Sequence, residues 1–231
     1  MLSNMPNDGL LLAVDGPSGT GKSSTCRQLA KNLDAKYVDT GAMYRVATLA
    51  VLRAGVDPQD TAAVIAATAD LPLEVSDNPD SKQVLLAGED VSGVIREDDV
   101  TRNVSAVSAI PEVRENLVAL QRRLAADAHR AIVEGRDIGT VVLPDAPVKV
   151  YLTASAAVRA QRRFDQNQAA GIPGSYEDVL ADVERRDAAD SSRAASPLRP
   201  ADDAVIVDTS DMSLPEVLAR LTDLIKESAH D

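Results

Sequence analysis

A chain of 231 residues that is 45% hydrophobic can bury a sizeable core, and with no Trp, one Phe and four Tyr that core must be aliphatic. A formal net charge of −12 excludes a protein that grips a nucleic-acid backbone over a long surface, so the basic residues that meet an anionic ligand must be locally concentrated. The lone Cys26 excludes an intrachain disulfide, and no apolar run approaches the ~18 residues of a membrane span or follows a basic leader, so a cytoplasmic protein without a membrane partner is expected.

The apolar run Leu10 to Val14 reads as a buried strand, and Asp15 leads from it into GPSGTGKS, Gly16 to Ser23. An apolar-periodic helix follows through Leu33, carrying Ser24 and Cys26 in its first turns, the latter as a small packing residue. Strand, glycine-rich loop and helix are the context that the phosphate-binding pattern G-x-x-x-x-G-K-[ST] requires. Its glycines let backbone N–H groups turn onto a phosphate chain, and the helix N-terminus adds partial positive charge. Lys22 would reach the β- and γ-phosphates, and the Ser23 hydroxyl would ligate magnesium.

Beyond that helix the chain alternates. Tyr37 to Asp39 reads as a strand, Ala42 to about Ala54 as a helix broken at Asp57–Pro58, and Thr61 to Ala69 as a short helix. Leu71 to Val75 and Gln83 to Ala87 flank a turn-rich Asp77 to Asp80 and predict a hairpin that, running on to about Arg96, interrupts the rhythm as an inserted subdomain. Helices are expected from Asp98 to Ala109 and from Pro111 to about His129. Strands are expected at Ala131 to Glu134, Val148 to Leu152 and Ala204 to Asp208. Two helices separate the last two strands, the second capped by Ser175 with Asp178 three residues on; Ser213 and Glu216 open the final helix in the same way. Strands spaced by helices predict an α/β core with a parallel five-stranded sheet covered on both faces. Ligands then bind beyond the carboxyl ends of the strands: at the phosphate loop, Asp39–Thr40–Gly41, Arg136–Asp137 and Asp208–Thr209.

Arginines gather at that edge. Arg45 and Arg136 follow the second and third core strands, Arg159, Arg162 and Arg163 the fourth, and Arg185, Arg186 and Arg193 lie in the next helix and its exit. Individually each could be a solvated residue paired with Asp165, Glu177 or Asp178; together they suit phosphate. Two phosphoryl charges ~4 Å apart repel by about 4 kcal/mol at an effective dielectric near 20, and guanidinium groups remove that cost. A phosphate acceptor is largely dianionic near neutral pH and needs no general base, so His129 and His230 read as bystanders.

With GPSGTGKS, the chain carries DTGAMYR (Asp39 to Arg45), GEDVSGVIR (Gly88 to Arg96), PEVR ending at Arg114, GRDIGTVVLPDAPVK (Gly135 to Lys149) and RRDAADSSRAASPL (Arg185 to Leu198). Over nearly its whole length it resembles the bacterial cytidylate kinases, nucleoside-monophosphate kinases of the P-loop class. The resemblance implies one kinase domain, with a core at about 8–57, 98–154 and 196–231, an acceptor-side insert at about 58–97 and an arginine-rich lid at about 158–175. It implies transfer from ATP, with Mg²⁺, to CMP or dCMP; a monomer is expected. It also implies a donor cradle of Gly16, Pro17, Ser18, Gly19, Thr20, Gly21, Lys22, Ser23 and Ser24, with Arg159 over the adenine. The acceptor phosphate would be held by Thr40, where the family has a serine, with Arg45 and Arg136. The base would be read by Ser105, Arg114 and Asp137, and the ribose side met by Arg186 and Asp190, with Arg193 close to the substrate. Lys22, Arg136, Arg163 and Arg186 would stabilise the transferred phosphoryl group. A carboxylate accepts from the amino group of cytosine and a guanidinium donates to its ring acceptors, so Asp137 and Arg114 suit that base, whereas uracil would set a carbonyl against Asp137.

Two other classes compete with this reading. Asp90 to Gly93 fits the D-x-x-G string of a nucleotide switch, yet it falls in the insert and no N-K-x-D motif accompanies it. A kinase for a hydroxyl acceptor would use Asp39 or Asp137 as base, but the number of arginines on the acceptor side favours an anion.

Overall fold

The computed structural model describes residues 9–228. Five parallel strands, β1 (Leu10–Asp15), β2 (Lys36–Asp39), β6 (Arg130–Glu134), β7 (Val148–Thr153) and β8 (Val205–Asp208), form a sheet in the order β2-β6-β1-β7-β8. The phosphate-loop strand is therefore central, with Leu10 to Val14 in register with Arg130 to Glu134 and Leu12 to Asp15 with Val148 to Tyr151. The period-2 alternation of β1 sends Leu10, Leu12 and Val14 to one face, against α1 (Lys22–Leu33) and α8 (Leu214–Ser228). Ala13 goes to the other face, under α2 (Thr40–Arg53) and α5 (Pro111–Ala126). Leu12 and Leu29 are fully buried on the first face, each worth roughly 1.5–3 kcal/mol in area removed from water. Cys26 is buried in the same cluster as a packing residue, its thiol pushed well above its usual range by burial.

The second surface of α2 supports the insert. After α3 (Thr61–Thr68), the strands β3 (Leu73–Val75), β4 (Val84–Leu86) and β5 (Glu89–Asp90) form a small antiparallel sheet. Ala42, Val46 and Leu49 of α2 pack on Val84, Leu86, Val91 and Ile95. The expected hairpin is present, but it is extended by β5, which the sequence did not announce. Ala87 and Gly88 both take positive φ, 52° and 79°, and make a two-residue turn in which alanine occupies a position that glycine or asparagine usually fills. The chain then enters α4 (Asp98–Val107).

α6 (Ala156–Ala169) and α7 (Tyr176–Ser191) pack on each other between β7 and β8. Ser175 and Asp178 form the reciprocal capping box expected at the start of α7. At the start of α8 the Glu216 carboxylate accepts from the Ser213 backbone N–H and hydroxyl at 2.7 and 2.6 Å. His129 lies beyond the end of α5, where its carbonyl accepts the Leu10 N–H at 3.1 Å; His230 lies outside the described residues. The segment after Asp137 forms a π-helical turn, Ile138–Val142, closed by Leu143 N–H donating to the Ile138 carbonyl at 2.7 Å.

Candidate active site

The carboxyl edge of the sheet gathers the functional groups. Gly16 leaves β1 at φ 143°, and a Cβ there would lie 1.9 Å from the Leu152 carbonyl, so only glycine lets the loop pass β7. The loop closes on α1, where Lys22 Nζ donates to the Gly16 and Pro17 carbonyls at 2.6 and 2.7 Å. Burial, reinforced by Arg136, pushes the Lys22 ammonium down to about 7. The Ser23 hydroxyl donates to Glu134 Oε1 at 2.7 Å, and the Tyr37 phenol donates to the same oxygen at 2.7 Å. Burial, then Asp39, raises the Glu134 carboxyl, and its second oxygen is buried without a hydrogen-bond partner. Gly135 follows because a Cβ there would stand 2.7 Å from Thr40 Oγ1, which donates to the Glu134 carbonyl at 2.7 Å.

On the acceptor side, Asp39 caps α2 by accepting the Ala42 N–H at 3.0 Å. Arg45 reaches the Ile95 carbonyl and Thr101 Oγ1 at 3.0 and 2.8 Å, joining α2 to the insert. Arg136 Nε donates to Asp190 Oδ2 at 3.1 Å, and Arg193 holds the other oxygen of that carboxylate. Arg186 stands among these cations with its Nε buried and without a partner. Burial, then Arg186 and Arg96, pushes Arg45 down to about 10, and Arg136 adds to the effect. Such crowding of guanidinium groups, with Asp190 as the main counter-charge, is the electrostatic signature of an anion site. Deeper, Arg114 forms a buried ion pair with Asp137 and donates to Ser196 Oγ and the Ser108 carbonyl at 3.1 and 3.0 Å.

The three arginines of α6 do not act as one cluster. Arg159 is buried, donating to the Ser18 carbonyl of the phosphate loop at 3.2 Å and gripping Asp187 of α7 with both terminal nitrogens. Arg162 holds Thr209 at the end of β8, with Nη2 at 2.6 Å from its carbonyl, and Thr209 in turn donates to the Thr20 carbonyl at 3.1 Å. Arg163 is exposed and, among the described residues, makes no hydrogen bond or ion pair, though Arg186 feels its charge.

Residues 12–227 match the family model for cytidylate kinase. The chain belongs to the cytidylate kinase family. It is 69% identical over 225 residues, 97% of this chain and 98% of the relative, to the cytidylate kinase of Corynebacterium glutamicum. It is 61% identical to that of Rhodococcus jostii, over 96% of this chain and 97% of the relative. A gluconokinase structure from Sinorhizobium meliloti 1021 superimposes at TM-score 0.50 and 15% identity over 96% of this chain and 95% of its own, a likeness of fold alone.

For a cytidylate kinase, the expected residues fall into distinct groups. Arg159 bonds the loop of Gly16 to Ser24; Arg45, Arg136, Arg186, Asp190 and Arg193 cluster electrostatically; Thr40 bonds the Glu134 carbonyl; Arg114 and Asp137 form a buried pair. Ser105 is half-buried on α4, its carbonyl accepting from Ser108, and Arg163 stands apart. Glu134, Asp15 and Asp187 carry no role in the sequence reading, yet Glu134 accepts from Ser23, Asp15 from the backbone N–H groups just after Asp137, and Asp187 from Arg159. The available signal for the first two was a charged residue closing an apolar strand just before glycine.

Proposed function

We propose that the chain transfers the γ-phosphoryl group of ATP directly and in line to CMP and dCMP, giving CDP and dCDP, with the residues above in fixed roles. The observation that carries the base assignment is the buried Arg114–Asp137 pair, a carboxylate and a guanidinium side by side where a cytosine edge would be read. The Gly16 to Ser24 backbone cradles the donor phosphates, and Lys22 leaves the Gly16 and Pro17 carbonyls to reach them. Arg159, braced by Asp187, lines the adenine side. Thr40, Arg45 and Arg136 hold the acceptor phosphate, with Arg186, Asp190 and Arg193 towards the ribose and Ser105 completing the base site.

A magnesium ion fits beside Ser23. The hydroxyl shares the Glu134 carboxylate, which has one buried oxygen without a partner, and Asp39 lies near enough to raise the Glu134 carboxyl. Ser23 would hold the metal, with Glu134 and Asp39 beside it, and the ion would supply charge neutralisation to the transferring phosphates. Lys22, Arg136, Arg163 and Arg186 spread stabilisation over the transferred group, Arg163 from a lid at about 158–175 that closes and excludes water. The acceptor-side insert spans about 58–97, including α3 and the small sheet packed on α2, and the core comprises about 8–57, 98–154 and 196–231. The chain works as a cytoplasmic monomer on small nucleotides, and no described helix is long and apolar enough to cross a membrane.

ADP release with ATP and Mg²⁺ against CMP, dCMP, UMP, AMP, GMP and shikimate tests the reading. Turnover confined to CMP and dCMP is expected; equal release without acceptor would overturn it in favour of a nucleotide hydrolase.

A further inference from the structure

Asp15, the last residue of β1, is 3% exposed, and each of its carboxylate oxygens accepts one backbone N–H at 2.8 Å, from Ile138 and from Gly139. Those donors open the π-helical turn, so the turn itself offers them no acceptor. A carboxylate is the side chain that satisfies both at once. The residues just before the clamp are Arg136 and Asp137, and the residue just after Asp15 is Gly16. We infer that Asp15 is a positioning residue for acceptor recognition, fixing the backbone that carries Arg136 and Asp137 and setting it in register with the phosphate loop. This rests on the reading of Asp137 as a base-recognition residue.

The surroundings of Asp15 make the clamp sensitive to pH. Facing it are Lys22 and Cys26 from α1, Asp137 from the loop and Tyr151 from the adjoining β7. Burial pushes its carboxyl up to about 6; the two N–H bonds and Lys22 oppose the rise and Asp137 adds to it. Protonation replaces one of the two accepting oxygens with a donor, which loosens the turn on the side of Asp137.

The test compares Asp15→Asn and Asp137→Ala with the wild type in kcat/KM for CMP and for UMP, with the KM for ATP alongside. The CMP to UMP ratio isolates base reading, because the two acceptor phosphates ionise alike. The Asp15→Asn side chain would turn its amide hydrogens on a backbone donor, and the ratio should fall about 10-fold near pH 8 while the ATP KM stays within roughly 3-fold. In the wild type the ratio should decline as pH falls through about 6, and in Asp15→Asn that dependence should vanish. A ratio unchanged in Asp15→Asn but lowered in Asp137→Ala overturns the role of Asp15 alone; a ratio unchanged in both overturns the base reading and the inference with it. Should Asp15→Asn not fold, the wild-type amide resonances of Ile138 and Gly139 decide: they move together near pH ~6 if Asp15 holds both, and independence from pH there overturns the inference.

Discussion

Arg114 and Asp137 are buried against each other, 6% and 5% exposed, with the Tyr44 ring 5.1 Å from the Arg114 guanidinium carbon. Either charge alone would be stranded in a low-dielectric floor. Asp137→Ala should therefore cost roughly 3–5 kcal/mol of stability, and Arg114→Met with Asp137→Ala less than the sum of the single changes, in a denaturant double-mutant cycle. In kinetics Asp137→Ala should lower kcat/KM for CMP by roughly 10- to 150-fold and affect UMP far less. An equal loss with both acceptors would remove Asp137 from base recognition.

Lys22 rests on two carbonyls with its pKa pushed down to about 7, so in the free protein it is mostly neutral at higher pH. Donor phosphates favour the ammonium form, and ATP binding should take up close to one proton per site near pH ~8 and little near pH ~6. Calorimetry in buffers of different ionisation enthalpy measures this directly. Lys22→Ala should abolish the uptake and nearly all turnover.

Asp187 holds Arg159 against the phosphate loop through two hydrogen bonds, of which Nη1–Oδ1 is 3.0 Å. Hydrogen bonds to charged groups are worth about 1.5–3 kcal/mol, so Asp187→Ala should raise the ATP KM by roughly 10- to 100-fold. The CMP KM should shift much less. Comparable changes in both would place Asp187 outside the donor site.

Asp15 also leaves a mark on stability. Its folded pKa of about 6 lies above the ordinary 3.8, so the fold favours the protonated form, and the contribution present at low pH is lost as pH rises through 6. A difference of about 2 units corresponds to about 3 kcal/mol. Measured against Asp15→Asn, which does not titrate, the unfolding free energy of the wild type should fall by about that amount between pH ~4 and pH ~7. A difference that stays flat across the range would show that the carboxyl is not perturbed.

The parts legible in the sequence are those whose signal is contiguous. GPSGTGKS and the Gly135 to Asp137 stretch declare themselves as strings, and apolar runs such as Leu10 to Val14 and Ala131 to Val133 mark central strands because both their faces are covered. The roles of Asp15 and Glu134 are not contiguous. Asp15 meets its partners 123 and 124 residues away, and Glu134 meets Ser23 and Tyr37 at 111 and 97. The β-branched Ile138 to Val142 would suit a strand locally, and the π-helical turn exists because a distant carboxylate takes its first two donors. Likewise Arg159, Arg162 and Arg163 look equivalent by spacing, but Asp187 on α7 holds one and Thr209 after β8 another.

The strand order has a consequence for how the chain is made. β1 is synthesised first, yet it lies at the middle of the sheet, and its partner at Arg130 comes 120 residues after Leu10. At translation rates of about 5–20 residues per second, that segment waits roughly 6–24 s with both hydrogen-bonding edges open. Nascent chains arrested before β6 should remain protease-sensitive through the phosphate loop, and become resistant only once β6 and β7 have emerged. The stretch proposed as the donor cradle is therefore also the one with most to gain from a holding chaperone during translation.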